Sequence, residues 1–419
     1  MTRTGRTISE KILSTKCGQP AFAGDIVVCN VDMVIGTDAS APMAIDYFEQ
    51  MGGTSVFDPS KILFALDHYS PPETNSTRAL HERVRAFGER YGIEVLNVGD
   101  GISHQVVVER GRVRPGDLVV GADSHTVTCG ALNLFATGIG SSDLAAAMMT
   151  GQIWLKVPET LRVTLTGWRP RGLSAKDVAL ALVGEVGAEG ASYQAIEFEG
   201  PALAQFSLEE RLVFTNLAVE MGAKTAMVPI DSVTEEYLKG RASPGWEPVE
   251  SDSDVEYARE VTLTLGELSP RVAMPHSPDK VLLIEEAVGQ PIQMVFIGTC
   301  TGGRVSDIHT ALAVLSRWGG RVARGVQLVV TPASADVRAR LEADGSLAKL
   351  TAMGAVITTP GCGACCGTSG VIPGDGMNVI STANRNFKAR MGNATASIYL
   401  ASPAACAAAA ATGKITDPR

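Results

Sequence analysis

Three cysteines carry the strongest chemical signal in the chain: Cys300 in Ile-Gly-Thr-Cys-Thr-Gly-Gly-Arg, and Cys362 with Cys365 in Pro-Gly-Cys-Gly-Ala-Cys-Cys-Gly. Thiolates are soft ligands that suit zinc and iron–sulfur centres. Three of them with no obvious fourth imply a centre that keeps one coordination position open. Open positions serve catalysis, whereas fully ligated centres carry electrons or hold structure. Small residues around each sulfur (Gly298, Gly302 and Gly303 about Cys300; Gly361 and Gly363 about Cys362) let the backbone turn sharply beside a bulky ligand. A Cys-x-x-Cys pair alone is compatible with zinc, with redox chemistry or with neither. At this level a metal centre and a structural thiol cluster are equal alternatives.

Four of the six histidines stand in polar, glycine-containing or proline-flanked settings: His68 after Asp67, His104 in Gly-Ile-Ser-His-Gln, His125 in Asp123-Ser124-His125, and His276 after a proline. A carboxylate beside an imidazole fixes its tautomer and raises its basicity, as proton transfer requires. The competing reading of each is a hydrogen-bonded polar residue with no reaction to perform. His309 falls on a probable helix and His81 on the surface, and neither is expected to act. Near the end, Asn384-Arg385-Asn386-Phe387-Lys388-Ala389-Arg390 places two arginines after an apolar strand. Their guanidinium forks suit carboxylates, although a solvated turn would look the same.

These groups need strands to deliver them. Met294 to Ile297 precedes Cys300, and Ala355 to Thr358 precedes the cysteine pair. Ile62 to Leu66 runs into Asp67-His68, Leu118 to Val120 into Gly-Ala-Asp-Ser-His-Thr, and Asn378 to Ile380 into the arginines. In an open parallel sheet, ligands collect where strands present their carboxyl ends. Between Leu161 and about Ile284 the character changes. Leu161 to Thr166 alternates as a strand, while Ala175–Val186 and Leu208–Met221 repeat as amphipathic helices. Ser243 to Ser253 reads as a surface loop. Val326–Val330 reads as a strand, Ser334–Ala343 as a helix capped by its serine, and Ala404–Thr412 as a helix stopped by Gly413. The expected architecture is three α/β domains over residues 1–158, 159–285 and 286–419.

Length supports that count, since 419 residues exceed one ordinary domain. Hydrophobic residues make up 45% without any long apolar span, which excludes a membrane helix. Met1 to Glu10 lacks a signal-peptide core, so a cytoplasmic location is expected. The formal charge of −9 without a basic run argues against nucleic acid and leaves small anions open. Such a chain is not expected to use its eight cysteines as a disulfide framework. Cys17, Cys29, Cys129 and Cys406 lack metal-like spacing, and Cys366 should point away from its neighbour's ligand.

Taken together, the motifs resemble the aconitase superfamily, in its isopropylmalate dehydratase and homoaconitase large-subunit group. The resemblance runs from about Ile8 to Asp417. It is most specific in Val119-Val-Gly-Ala-Asp-Ser-His-Thr with its Gly/Ala-rich continuation to Asp143, in Gly-Thr-Cys-Thr-x-Gly-Arg, in Cys-Gly-x-Cys and in Asn-Arg-Asn-Phe. It implies three α/β/α domains of the aconitase type around a [4Fe–4S] cleft, without the swivelling fourth domain. Cys300, Cys362 and Cys365 would hold the cluster, leaving one iron without a protein ligand to act as a Lewis acid on the substrate's hydroxyl. Asp67 and His68 would protonate the departing hydroxyl, with His104, Asp123 and His125 around it. Arg385 and Arg390 would grip carboxylate. Asn216 and Glu220, four apart on one helical face, would line the cluster and the reacting oxygen. Ser124, Thr37 and Asp38 would lie at the substrate.

The resemblance further implies a hydro-lyase that dehydrates and rehydrates a branched 2-hydroxy dicarboxylic acid. The first expectation is the interconversion of 3- and 2-isopropylmalate in leucine biosynthesis. Homoaconitate, citramalate-type acids and specialised analogues are the alternatives, with a non-catalytic iron-sensing paralogue or a structural zinc site as readings from other classes. The family's carbon-proton base, a serine in Gly-Ser-Ser-Arg, has no match; Gly140-Ser141-Ser142-Asp143 lacks the arginine. A small partner subunit is therefore expected to supply it. Three positions depart from the group: Thr37 where histidine or glutamine is usual, Gly302 in place of asparagine, and Ala389 in place of glycine.

Overall fold

The computed structural model describes residues 5–419, so the first four residues of the polar N-terminal stretch lie outside it. Among the described residues four sheets form. Three are wholly or largely parallel, and the fourth is a two-stranded antiparallel ribbon of Ile26–Asn30 against Gln152–Lys156. Both ribbon strands alternate exposed and buried residues, as expected when one face is solvated.

The first large sheet has five parallel strands in the spatial order Glu94–Leu96, Ile62–Ala65, Met33–Thr37, Leu118–Gly121, Phe135–Gly138. Its central members are buried on both faces, so they read as continuous apolar runs rather than alternating ones. Ile62, Leu63 and Phe64 are fully buried, each contributing about 1.5–3 kcal/mol of burial. The chain adds strands first on one side of Met33–Thr37 and then on the other. The switch point lies between Met33–Thr37 and Leu118–Gly121, and a crevice opens there beyond the strand ends.

A seven-stranded sheet repeats the device. Met294–Ile297 is followed outward by Gln327–Val330 and Ala355–Ile357, and on its other side by Asn378–Ser381 and Ser397–Ala401, all parallel. Arg271–Ala273 and Val281–Leu283 extend the edge antiparallel. Here the switch point falls between Met294–Ile297 and Asn378–Ser381. The turns after these strands carry Cys300 and Asn384.

The remaining sheet, Thr225–Met227, Ala195–Glu199, Thr160–Thr166 and Arg259–Thr264, supports two helices that pack behind the wall of the crevice. Ala175–Val186 starts at a capping box between Ser174 and Asp177. Leu208–Ala218 starts at one between Ser207 and Glu210, which satisfies orphan amide groups at the first turn. Beyond Ala218 the helix tightens into a 3₁₀ turn, Val219–Met221, closed by left-handed Gly222. The single helix expected from Leu208 to Met221 is therefore two elements. No helix among the described residues is long and apolar enough to cross a membrane.

Candidate active site

The carboxyl ends of the five- and seven-stranded sheets face each other across a cavity of about 740 Å3. Cys300, Cys362, Cys365, His68, Asp123 and Arg385 are among the residues lining it. Residues far apart in the chain meet here because both switch points open toward the same space.

The acid–base side is a chain of paired charges. Asp67 Oδ1 lies 2.7 Å from His68 Nδ1, while Asp67 Oδ2 accepts from the Ser103 amide at 2.8 Å. The other ring nitrogen of His68 lies 3.2 Å from Asp123 Oδ2. Asp123 Oδ1 is 3.0 Å from His104 Nε2 and accepts from the His125 amide at 2.7 Å. Burial alone would drive His68 neutral. The charges at Cys362 and Asp67, with the bonds to Asp123 and Asp67, override it and hold the ring well above the usual histidine value. Asp123 is buried too, yet its bonds to His104 and His68 hold it well below the usual carboxylate range. An imidazolium between two carboxylates is a proton donor by construction.

Across from it, His125 Nε2 lies 2.8 Å from Glu220 Oε1, and Arg385 Nε donates to both oxygens of Glu220 at 2.9 and 3.0 Å. Burial lowers His125 despite Glu220. Glu220 is held low against burial by His125 and Arg385. Arg385 is thus oriented through Nε, with its terminal amino groups left for a cavity ligand.

The thiols sit among N–H donors. Asn216 Nδ2 donates to Cys300 Sγ at 3.0 Å, Asn384 Nδ2 reaches it at 3.5 Å, and Arg390 Nη2 reaches Cys365 Sγ at 3.5 Å. Burial, reinforced by Cys365, pushes the Cys300 thiol up to about 12, against Arg304 and Asn216. Metal binding must therefore displace protons here. Thr299, just before Cys300, has φ of +71°, a left-handed conformation that costs a β-branched residue about 1–3 kcal/mol.

The backbone couples the two sides. The Cys362 amide donates to Asp67 O at 2.8 Å, and the hydroxyls of Thr368 and Ser369 donate to His68 O at 2.7 and 3.1 Å.

Most of the residues expected at the site converge on it. Thr37, Ser124, His104 and Arg390 line the cavity with those already named. Asn216 and Glu220 stand behind the lining and touch it, Asn216 at Cys300 and Glu220 at His125, the latter from the 3₁₀ turn rather than the helix proper. Asp38 stands behind the wall. Its carboxylate accepts from the amides of His68 and Tyr69 at 3.0 and 2.9 Å and lies 2.8 Å from His81 Nε2. His81 is therefore no surface residue; it is 1% exposed because the Asn75–Tyr91 helix turns that face inward. His309 is exposed and pairs with Asp344. Cys366 lines the cavity and contacts Thr368.

Asn384, Thr128 and Lys176 also belong to the site. Asn384 stood in plain view within the arginine motif. Thr128, which accepts from Asn216 at 2.7 Å, and Lys176, at the start of an amphipathic helix, have nothing in the sequence to set them apart.

A crevice at paired switch points, walled by thiols on one side and a histidine–carboxylate chain on the other, has a family counterpart. Residues 10–413 match the aconitase family (aconitate hydratase). The chain belongs to that family.

Among curated proteins it is similar to 3-isopropylmalate dehydratase large subunit 1 of Methanopyrus kandleri, at 48% identity over 416 residues and 99% of both chains. The protein of the same name from Thermotoga maritima is 43% identical over 419 residues, and 3-isopropylmalate dehydratase large subunit 2 of Archaeoglobus fulgidus 43% over 416, again covering 99% of each. Among solved structures, aconitase X of Thermococcus kodakaraensis has a TM-score of 0.53 at 12% identity, covering 90% of this chain and 88% of that one. That likeness concerns the fold.

The family implies a [4Fe–4S] cluster, and the donor set fits one. Among the described residues the metal-ligating atoms that crowd within 4.8 Å of one another are those of Asp67, His68 and Cys362, and His68 Nδ1 is already engaged with Asp67. Cys300, Cys362 and Cys365 do not crowd in that way, so they are poorly spaced for one zinc ion with its 2.3 Å bonds. N–H groups directed at the sulfurs are a normal feature of iron–sulfur centres.

Proposed function

We propose that this chain is the cluster-bearing large subunit of a hydro-lyase that interconverts 3- and 2-isopropylmalate by removing and re-adding water. Similarity to large subunits of that name over 99% of both chains supports the substrate. The observation that carries the chemistry is the placement of His68, held by Asp67 and Asp123, on the cavity that the three thiols line.

Cys300, Cys362 and Cys365 would hold the [4Fe–4S] cluster, which when bound supplies a Lewis-acidic iron without a protein ligand for the substrate's hydroxyl and a carboxylate. Arg385 and Arg390 bind the substrate's carboxylates and fix its orientation. His68 delivers its proton to the departing hydroxyl, which leaves as water, and takes one back on rehydration. Asp123, His104 and His125 hold the hydrogen-bond frame around that oxygen. Thr37 and Ser124 border the substrate, and Asp38 fixes the backbone that carries His68. The base for the carbon-bound proton belongs to a small subunit. The free thiols support a cytoplasmic setting, and we divide the chain into α/β domains at 1–158, 159–285 and 286–419.

Anaerobic reconstitution with iron and sulfide, followed by addition of a purified small subunit and 2- or 3-isopropylmalate, tests the reading. Unsaturated acid should form only with both subunits present. Zinc bound without sulfide, or full turnover by this chain alone, would overturn it.

A further inference from the structure

Among the described residues three long cationic side chains are fully buried: Arg211, Arg304 and Lys176. Arg211 follows the usual rule for buried charge and grips Asp231. The other two make no ion pair among the described residues, and both border the Cys300 turn. Lys176, 2% exposed, donates through Nζ to neutral acceptors: Thr301 Oγ1 at 3.2 Å, Thr382 O at 3.0 Å and Ala383 O at 2.7 Å. It thereby ties the turn after Cys300 to the turn before Asn384, whose amide faces Cys300 Sγ. Arg304 donates through Nε to Gln105 Oε1 at 2.9 Å, while Nη1 and Nη2 have no partner. The carboxylates of Asp307 and Glu109 feel the Arg304 charge but make no bond to its guanidinium; burial raises both, Asp307 to about 6.

A buried cation with no bonded counter-charge is costly, and two such cations beside one cysteine favour an anion there. Burial lowers the Lys176 ammonium to about 8, while the sulfurs of Cys300, Cys406 and Cys365 and the Glu220 carboxylate favour its charged form. Three thiolates with their iron–sulfide core form a net anionic group, and one-electron reduction makes it more so.

We propose that Lys176 and Arg304 are positioning residues whose positive charges balance the bound cluster and set its reduction potential. This rests on the cluster reading above and goes beyond it by assigning residues that ligate nothing and touch no substrate.

The test uses the reconstituted two-subunit enzyme, with redox titration followed by electron paramagnetic resonance, and iron and sulfide counted per chain. Lys176→Gln and Arg304→Met should each move the oxidised-to-reduced ratio at fixed potential at least tenfold toward the oxidised form, a shift of about 59 mV for one electron. Arg304→Lys, which keeps the charge, should titrate with the wild type. Failure of a folded neutral variant to retain cluster, while Arg304→Lys retains it, supports the same assignment. Neutral variants titrating at the wild-type potential would overturn it, as would Arg304→Lys shifting as far as Arg304→Met. A wild-type enzyme that takes up no iron and sulfide would overturn the functional reading and this one together.

Discussion

His68 Nε2 stands 3.2 Å from Asp123 Oδ2, and that carboxylate is the point through which three histidines are joined. Asp123→Asn keeps the shape but weakens one of the charge-assisted bonds that, with Cys362 and Asp67, hold His68 protonated. We expect kcat to fall about 10²–10⁴-fold, the usual contribution of a general acid, with iron content unchanged. Steady-state kinetics on the two-subunit enzyme, beside an iron assay, measures both.

Arg385 owes its orientation to the two bonds that Glu220 accepts. Arg385→Lys loses the fork, and the expected result is a KM about 10–100-fold higher, in line with roughly 1.5–3 kcal/mol for hydrogen bonds to a charged group. An unchanged KM would place the substrate's carboxylate elsewhere.

Glu197 ties the strand Ala195–Glu199 to the start of the first helix. It accepts from the Ile8 amide at 2.8 Å and from Ser251 Oγ at 2.6 Å. Burial raises its carboxyl from 4.5 to about 7. The folded chain therefore holds this proton more tightly than the unfolded one. Its stabilising contribution is complete below about pH 4.5 and is lost as pH rises through about 7, on the order of 3 kcal/mol in all. Urea unfolding at several pH values should show that slope in the wild type and a flatter one in Glu197→Gln.

Ala389 has φ of +63°, in the left-handed region that costs an L-residue roughly 1–2 kcal/mol. Ala389→Gly relieves that cost and gains unfolded-state freedom worth about 0.4–1 kcal/mol. A net stabilisation of about 0.5–1 kcal/mol is expected by denaturant titration. The Arg390 contact with Cys365, one residue away, should survive, and iron retention checks it.

Elements with strong periodicity were legible from sequence. Ala175–Val186 and Met294–Ile297 begin and end where their patterns do, and the motifs after the strands announced the cavity. Residues whose role depends on tertiary neighbours were not legible. His81 looked like surface because a helix of low hydropathy hides which face turns inward; only Asp38, 43 positions away, reveals it. Lys176 looks like any lysine on an amphipathic helix until the turns of Thr301 and Thr382 close over it. Gly302 shows the limit from the other side. The family's asparagine is absent there, and the structure supplies a steric reason: a Cβ at 302 would fall 2.3 Å from that of Thr382.

The fastening of the Cys362 amide to the Asp67 carbonyl also has a meaning in time. A ribosome adds about 5–20 residues per second, so the stretch bearing Asp67 and His68 emerges well before the sulfur ligands that will hang from it, and Arg390 comes later still. Throughout that interval the early half of the pocket has no lid and no metal to receive. Any metal that the three thiols take up has to wait until synthesis is nearly over, when Cys365 and Arg390 have both left the ribosome.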